Sequence, residues 1–311
     1  LVLFSKKNCF LAACKIIVWD SGMPPWFTIV IPTRDSASWI GALLQHYADH
    51  RIAPIMLLDS RTSDGTRQVA AAYGVQVIDM TDFQFAEAVV ARTRDVVPTQ
   101  WALFLNDDEI PSDALFARLA GPPPGDGTTS IAISRRWAWH QPGHPLQYGF
   151  SKSWADRAGW PGLDHHWRLF QPRRVQFVAQ MHSDGFLIDT WSRLPAEEFI
   201  IHFEWVLRTR RQRAAKIARY DAIRPGYGSF FANMYLPEDQ PPGVIAYQAF
   251  PAGAYDHLAQ ACFKARPSRL AEWWAGLRDA RAAAPPPRAE PVDVMDRSRL
   301  QPRPEREIPL A

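Results

Sequence analysis

Trp101-Ala-Leu-Phe-Leu-Asn-Asp-Asp-Glu109 decides how this chain is read. An apolar run that stops abruptly in acid has the pattern of a short buried strand with carboxylates at its C-terminal tip. In open α/β sheets, ligands bind beyond the carboxyl ends of the strands. Hard divalent cations take oxygen ligands and commonly bridge carboxylates to substrate phosphates. The cluster is therefore a candidate metal-diphosphate site. A plainer reading stands beside it: a solvated acidic turn before a helix that Pro111-Ser112-Asp113 would begin.

Upstream, apolar runs alternate with amphipathic ones. Phe27-Thr-Ile-Val-Ile-Pro32 reads as a first buried strand. Ser36 or Ser38 can cap the helix after it, whose apolar stripe is Trp39, Ile40, Leu43, Leu44 and Tyr47. Pro54-Ile-Met-Leu-Leu58 is a second strand ending at Asp59, and a short helix runs from Thr62 to about Tyr73. Val75-Gln-Val-Ile78 is a third strand, and Phe85 to about Val97 is helical. This alternation predicts an α/β fold with a mainly parallel central sheet flanked by helices. The loop after the first strand, Pro32-Thr-Arg-Asp-Ser36, has no Gly-x-Gly-x-x-Gly, and no Gly-Lys-Ser/Thr phosphate loop is present. Nicotinamide, flavin and ATP-loop readings fall away with them.

With 311 residues, 47% of them apolar, the chain can bury one large core or two small ones. A net charge of +3 does not call for nucleic acid. Cys9, Cys14 and Cys262 make neither a disulfide framework nor a zinc pattern, and a reducing cytosol suits them. No stretch is long and uncharged enough to cross a bilayer. Residues 1–22, ahead of Met23, read as a non-native or disordered N-terminal extension. Residues 282–311 are rich in proline and mixed charge, and disorder is expected there.

Three segments taken together resemble the motifs of family 2 glycosyltransferases of the GT-A fold: Phe27-Thr-Ile-Val-Ile-Pro-Thr-Arg-Asp35, Leu58-Asp-Ser-Arg-Thr-Ser-Asp-Gly-Thr66 and Phe104-Leu-Asn-Asp-Asp-Glu109. The resemblance covers about residues 26–220. Trp167-Arg-Leu-Phe170, Met181-His182 and Ile200-Ile-His202 are similar to segments of bacterial lipopolysaccharide and surface-glycan glycosyltransferases. In those, a stretch like His202-Phe-Glu-Trp205 leads into a basic helix, as Arg208 to Tyr220 does here. The resemblance implies a GT-A (nucleotide-diphospho-sugar transferase) domain over residues 23–225 and a helical or irregular extension over 226–281. It implies a hexosyltransferase that moves a sugar, with inversion, from a nucleotide-sugar donor to a glycan or glycolipid acceptor of the bacterial cell envelope. Mn²⁺ or Mg²⁺ would assist, and the enzyme would be cytoplasmic or peripheral on the inner face of the membrane.

Carried onto this sequence, Pro32, Thr33 and Asp35 would line the nucleotide pocket, and Asp59 would hydrogen-bond the base or ribose. Asp64, with Gly65, would shape a turn that helps hold the nucleotide; an ordinary Asp-Gly turn is the alternative. Asp107 would contact the nucleotide-sugar, and Asp108 matches the last acid of the metal motif. Asn106 stands where many relatives have its first Asp, an oxygen donor without charge. Glu109 is a supporting candidate. The chemistry needs a cation against the departing diphosphate and a carboxylate to take the acceptor's proton. Asp184, in Met181-His-Ser-Asp-Gly185, is the expected base, although relatives place an acid where Ser183 stands; Glu109 and Asp164 compete with it. His182 would complete the metal shell or touch the diphosphate, against the plainer role of a buried, hydrogen-bonded histidine. His165, His166 and Arg168 are open between structural and functional roles.

Trp137, Trp139, Trp154, Trp160, Trp167, Trp191 and Trp205 crowd one segment, either to stack on an acceptor sugar or to fill core. The basic run over residues 208–219 is a solvated helix face, or a contact for anionic glycolipid or the membrane surface. Two rival functions remain at this level. One is a non-catalytic nucleotide-sugar-binding relative. The other is a nucleotidyltransferase on a related sheet, which would want a glycine-rich basic first loop.

Overall fold

β1 (Phe27–Thr33) forms the centre of the sheet, and Ile29, Val30 and Ile31 are fully buried on both of its faces. A strand covered on both faces needs continuous apolar sequence rather than alternation, which is what this segment supplies. The computed structural model describes residues 25–251, apart from 82, 126, 141–143, 152–153 and 155–161, together with Tyr255 and Leu258. The expected N-terminal extension, the Pro-rich tail, Trp160, the cysteines and most of the 226–281 extension beyond 251 lie outside the described residues.

After β1 come α1 (Ile40–Asp49), β2 (Ile55–Asp59), α2 (Thr66–Ala72) and β3 (Gln76–Met80). A 3₁₀ segment, Ala86–Arg92, then runs into α3 (Thr93–Val96) and β4 (Trp101–Phe104). These four strands are parallel in the order β3-β2-β1-β4. Phe27, Ile29 and Ile31 pack toward Ile40, Leu43, Leu44 and Tyr47 of α1. Val30 packs on the other side with Val89, Val90 and Val97. The fold is α/β, as expected of the GT-A class.

The second half adds β5 (Glu109–Pro111), α4 (Asp113–Leu119), β6 (Ser130–Trp139), β7 (Gln147–Phe150) and β8 (Asp164–Phe170). It continues through β9 (Gln176–Phe177), β10 (Phe186–Leu187), β11 (Trp191–Arg193) and β12 (Ile200–His202). It closes with α5 (Glu204–Leu207), α6 (Arg210–Ile223), α7 (Tyr227–Phe230), α8 (Ala232–Tyr235) and β13 (Ala246–Ala249). Here the sheet becomes mixed: β8 joins β4, β6 joins β8, β7 joins β6 and β13 joins β7 antiparallel, while β11 and β12 run parallel to β6. β12 pairs with both β6 and β5, and so ties the acidic segment to the far half of the chain.

Two local expectations change. Ser36 does not cap α1 with its side chain; its carbonyl accepts from Trp39 and Ile40, and its hydroxyl serves Asp107. Residues 62–65 precede α2, held by Asp64, whose Oδ1 accepts from Thr66 N at 2.9 Å. Ser112 does cap α4, accepting from Leu115 N at 3.1 Å, so the helix-start reading holds beside the acidic tip. Among the described residues, no helix is long and apolar enough to cross a membrane.

Candidate functional site

A pocket of about 460 Å³ opens beyond the tips of β1, β2 and β4. Pro32, Thr33, Asp35, Asp59, Asp107, Asp108 and His182 line it; Asp64 and Asp184 do not. Thr33 Oγ1 donates to Asp107 Oδ2 at 3.0 Å, Ser36 Oγ donates to the same oxygen, and Trp39 Nε1 donates to the Asp107 carbonyl at 2.9 Å. Burial, then the neighbouring Asp108 charge, push the Asp107 carboxyl up, and Arg208 only partly offsets them.

Asp59 is buried at the end of β2 and accepts from Arg61 N at 2.8 Å, Arg61 Nη2 at 2.8 Å and Phe83 N at 3.1 Å. Burial alone would raise its pKa; these hydrogen bonds outweigh it and hold the carboxyl at about 2. Asp35, at φ 50°, accepts from Ser63 N at 2.8 Å and so joins the first two loops. Asp64 accepts from Ala37 N at 3.0 Å as well as from Thr66, so it ties the starts of α1 and α2 behind the pocket. The turn reading describes its place.

The register of β12 against β5 sets His202 opposite Glu109, and Phe203 N donates to the Asp108 carbonyl at 2.8 Å. Glu204 therefore arrives beside Asp108. His202 Nε2 lies 3.2 Å from Asp108 Oδ1 and 3.9 Å from Glu204 Oε2. Asp108, His202 and Glu204 offer ligand atoms within 4.8 Å of one another and could hold a metal ion. By chemistry this is a donor set for a divalent ion. By arrangement one oxygen of each carboxylate is engaged, while Asp108 Oδ1, Glu204 Oε1 and both ring nitrogens of His202 are buried without a hydrogen-bond partner. Arg208 Nη1 donates to Asp108 Oδ2 and, at 2.9 Å, to Glu204 Oε2, while Lys216 Nζ donates to the same Glu204 oxygen at 2.8 Å. The open donor atoms fit an ion, and the obstacle to one is charge: it would lie beside the Arg208 guanidinium and the Lys216 ammonium. Burial would raise the Asp108 carboxyl, but His202 and Arg208 outweigh burial and hold it well below the usual range.

His182 is not brought into that group; the histidine beside Asp108 is His202. The His182 ring stacks on Phe231 at 4.4 Å and meets the edges of Tyr220 and Tyr235. Burial first, then Lys216 and Arg135, lower its pKa to about 3, so it faces the pocket as neutral imidazole. A second histidine-carboxylate group, His46, His50 and Asp113, joins α1 to α4 outside the pocket.

Behind the acidic tip, Glu109 is completely buried. It accepts from Arg135 Nη1 at 2.7 Å, Arg168 Nη2 at 3.2 Å and Asn106 N at 2.9 Å. Burial would raise its pKa; Arg168 and Arg135 reverse that and hold it at about 2. Arg168 thus pairs with a structural carboxylate and also lines the pocket. Asp164 accepts from Arg135 Nε at 2.7 Å and Trp137 Nε1 at 2.9 Å. Both competitors for the base are thus committed to Arg135.

Asp184 accepts from Trp167 N at 3.1 Å and lies 3.2 Å from His166 Nδ1. It sits behind His166, which does reach the pocket. Gly185 follows at φ 84°, where a Cβ would come within 2.7 Å of Val90 Cγ2, so the turn needs glycine on both counts.

Sequence reasoning missed Glu87, a half-buried pocket residue on the 3₁₀ segment. Burial pushes its carboxyl up, Asp184 adds to this, and Arg168 and His166 work against it. In sequence it reads as an ordinary helical glutamate. The basic run was seen but not its direction. Arg208, Gln212, Lys216 and Arg219 recur at intervals of three and four, the spacing of one helix face, and all four line the pocket. Arg210 pairs with Asp239 at 2.6 Å, and Arg213 is wholly buried against Glu238. Carboxylates of the fold face Arg208, Arg210, Arg213 and Lys216, which corrects the solvated reading for these four, whereas Arg211 and Arg219 are exposed as that reading expects. Of the two tryptophan readings, core filling is the one the described residues follow. Trp137, Trp139, Trp154, Trp167, Trp191 and Trp205 are buried in core, and none lines the pocket.

No family model and no curated protein matches the chain. Solved structures do. Glucosyl-3-phosphoglycerate synthase from Mycobacterium tuberculosis, in complex with Mn²⁺, UDP and glucosyl-3-phosphoglycerate, is 15% identical with a TM-score of 0.31, covering 43% of this chain and 50% of its own. This chain thus spans about half the length of that protein. TarS 1-349 from S. aureus is 12% identical with a TM-score of 0.37, covering 86% of this chain and 94% of its own. HddC from Yersinia pseudotuberculosis is 8% identical with a TM-score of 0.31, covering 57% and 93%. At these values the likeness is one of outline and does not extend to a substrate.

Proposed function

We propose that this chain is a glycosyltransferase, with its catalytic domain over residues 23–225, acting on a nucleoside-diphosphate sugar. The observation that carries the reading is one pocket lined by both carboxylates and cations. Asp35 and Asp107, at the strand tips, offer acceptors to a base and ribose, and Asp59 fixes Arg61 and the Phe83 backbone at the pocket edge. In the same pocket Arg135, Arg168, Arg208 and Lys216 supply positive charge for a diphosphate. Preorganised cations stabilise the charge that grows on a departing diphosphate, and this is where such a reaction gains most.

In the proposed step an acceptor hydroxyl of a glycan or glycolipid attacks the anomeric carbon. The bond from that carbon to the diphosphate oxygen breaks, with inversion, and the diphosphate leaves toward these cations. The hydroxyl proton passes to Glu87. A general base works best with a pKa near the operating pH, and burial moves Glu87 in that direction. Asp184, expected as the base, is assigned instead to hold His166 in the pocket wall.

The test is release of nucleoside diphosphate from UDP-, GDP-, CDP- and dTDP-hexoses, with and without added glycan. Release from one nucleotide class is expected. Glu87→Gln should lower turnover about 100-fold or more while leaving diphosphate binding in place. Binding without any release, even slow hydrolysis, would make the protein a nucleotide-sugar binder rather than an enzyme.

A further inference from the structure

Of the oxygens that a divalent ion would use, Asp108 Oδ2 and Glu204 Oε2 are held by two side chains of the protein, while Asp108 Oδ1 and Glu204 Oε1 are buried without a hydrogen-bond partner. Glu204 is completely buried and receives Arg208 Nη1 at 2.9 Å and Lys216 Nζ at 2.8 Å on one oxygen. Arg208 Nη1 also donates to Asp108 Oδ2, and Nη2 lies 3.8 Å from Asp107 Oδ1. Both cations are backed by aromatic faces, Arg208 over Trp39 at 5.2 Å and Lys216 over Tyr235 at 4.6 Å. Such faces attract a cation and fix its position. Both side chains nevertheless line the pocket.

A second observation points the same way. The position that would add another acid to the cluster is Asn106, which brings no charge to set against the two cations; its buried Oδ1, like Asp108 Oδ1 and Glu204 Oε1, has no hydrogen-bond partner. A divalent ion among Asp108, His202 and Glu204 would sit directly against a guanidinium and an ammonium. Like charges in a buried site cannot share ligands cheaply. Meanwhile Arg208 makes its carboxylate hydrogen bonds from Nη1 alone, and a guanidinium carries donors on Nε and Nη2 as well. These suit bidentate recognition of phosphate.

We propose that Arg208, with Lys216, is the resident cation of this site: it holds one oxygen of Asp108 and one of Glu204, its charge competes there with a divalent ion, and it meets the donor diphosphate without metal. The proposal rests on the nucleotide-sugar reading and sharpens it. Removing Arg208 takes away that competing charge, so the same substitution that weakens diphosphate binding favours a divalent ion.

The experiment is calorimetric titration of the full chain with UDP, GDP, CDP and dTDP, once in EDTA and once with Mn²⁺, and with Mn²⁺ alone. One diphosphate is expected to bind in EDTA, with Mn²⁺ changing Kd by less than about threefold. Losing a buried charged contact should weaken that binding about 30-fold or more in Arg208→Gln, and in the same direction in Lys216→Gln. Arg208→Gln should also bind Mn²⁺ alone more tightly than the parent chain. Diphosphate binding by the parent chain only in Mn²⁺ overturns this proposal and leaves the nucleotide-sugar reading standing. That comparison needs no variant to fold. Unchanged EDTA binding in a folded Arg208→Gln overturns it as well. If no diphosphate binds the folded parent chain in either buffer, the nucleotide-sugar reading fails and this proposal fails with it.

Discussion

Asp107 and Asp108 are neighbours in sequence, yet their carboxyls are driven in opposite directions, Asp107 up and Asp108 down. The cause is which of them holds Arg208 and His202, and neither partner is within ninety residues in the chain. Acid at a strand tip was therefore legible, and its division of labour was not. His182 shows the same limit, because its aromatic surroundings come from α6, α7 and the turn after α7. Its pKa falls from 6.5 to about 3 in the fold, so the unfolded chain takes up a proton that the folded chain refuses. The stability this neutral ring contributes is present above pH 6.5 and is lost as pH falls toward 3. Between pH 7 and pH 5 the loss is about 2 kcal/mol. His182→Phe should retain the ring stack and remove that loss. Urea denaturation at the two pH values measures it, and an equal drop in both proteins would refute the assignment.

At the scale of elements, α6 misled because its charge was read as a surface property. A helix with cations all round shows no apolar stripe, and pattern alone then implies solvent. The structure answers with carboxylates on several sides: Glu204 for Lys216, Asp239 for Arg210 and Glu238 for Arg213. The Arg213 pair is buried on both sides, and Arg213 Nη1 also donates to the carbonyls of Trp205 and Arg208 at the end of α5. Breaking a buried pair strands a charge, whereas removing both partners does not. Arg213→Leu alone should cost about 3–5 kcal/mol in urea unfolding. Adding Glu238→Leu should recover a large part of that, though not the carbonyl contacts. A double variant no more stable than the single one would mean that the charge pair is not the source of the loss.

Across the whole molecule, the parallel half of the sheet was readable and the mixed half was not. β1, β2 and β4 are short apolar runs with turn residues at their ends, and helices of clear period separate them. β6 is buried along nearly its whole length and includes Ser130, Ser134 and Arg135, so neither alternation nor an unbroken apolar run marks it. β9 to β12 have two or three residues each, too few for any period. The two halves meet at Glu109, which binds Arg135 on β6 and Arg168 on β8 from its place on β5. Its pKa falls from 4.5 to about 2 on folding, so its contribution to stability is complete above pH 4.5 and disappears as pH falls toward 2. A shift of that size corresponds to about 3 kcal/mol. Glu109→Gln keeps the shape but not the charge, and it leaves Arg168 without this carboxylate. The parent chain should lose urea stability steeply below pH 4.5, while Glu109→Gln should start lower and fall less over the same range. Parallel curves for the two proteins would show that the acid sensitivity of the sheet junction lies elsewhere.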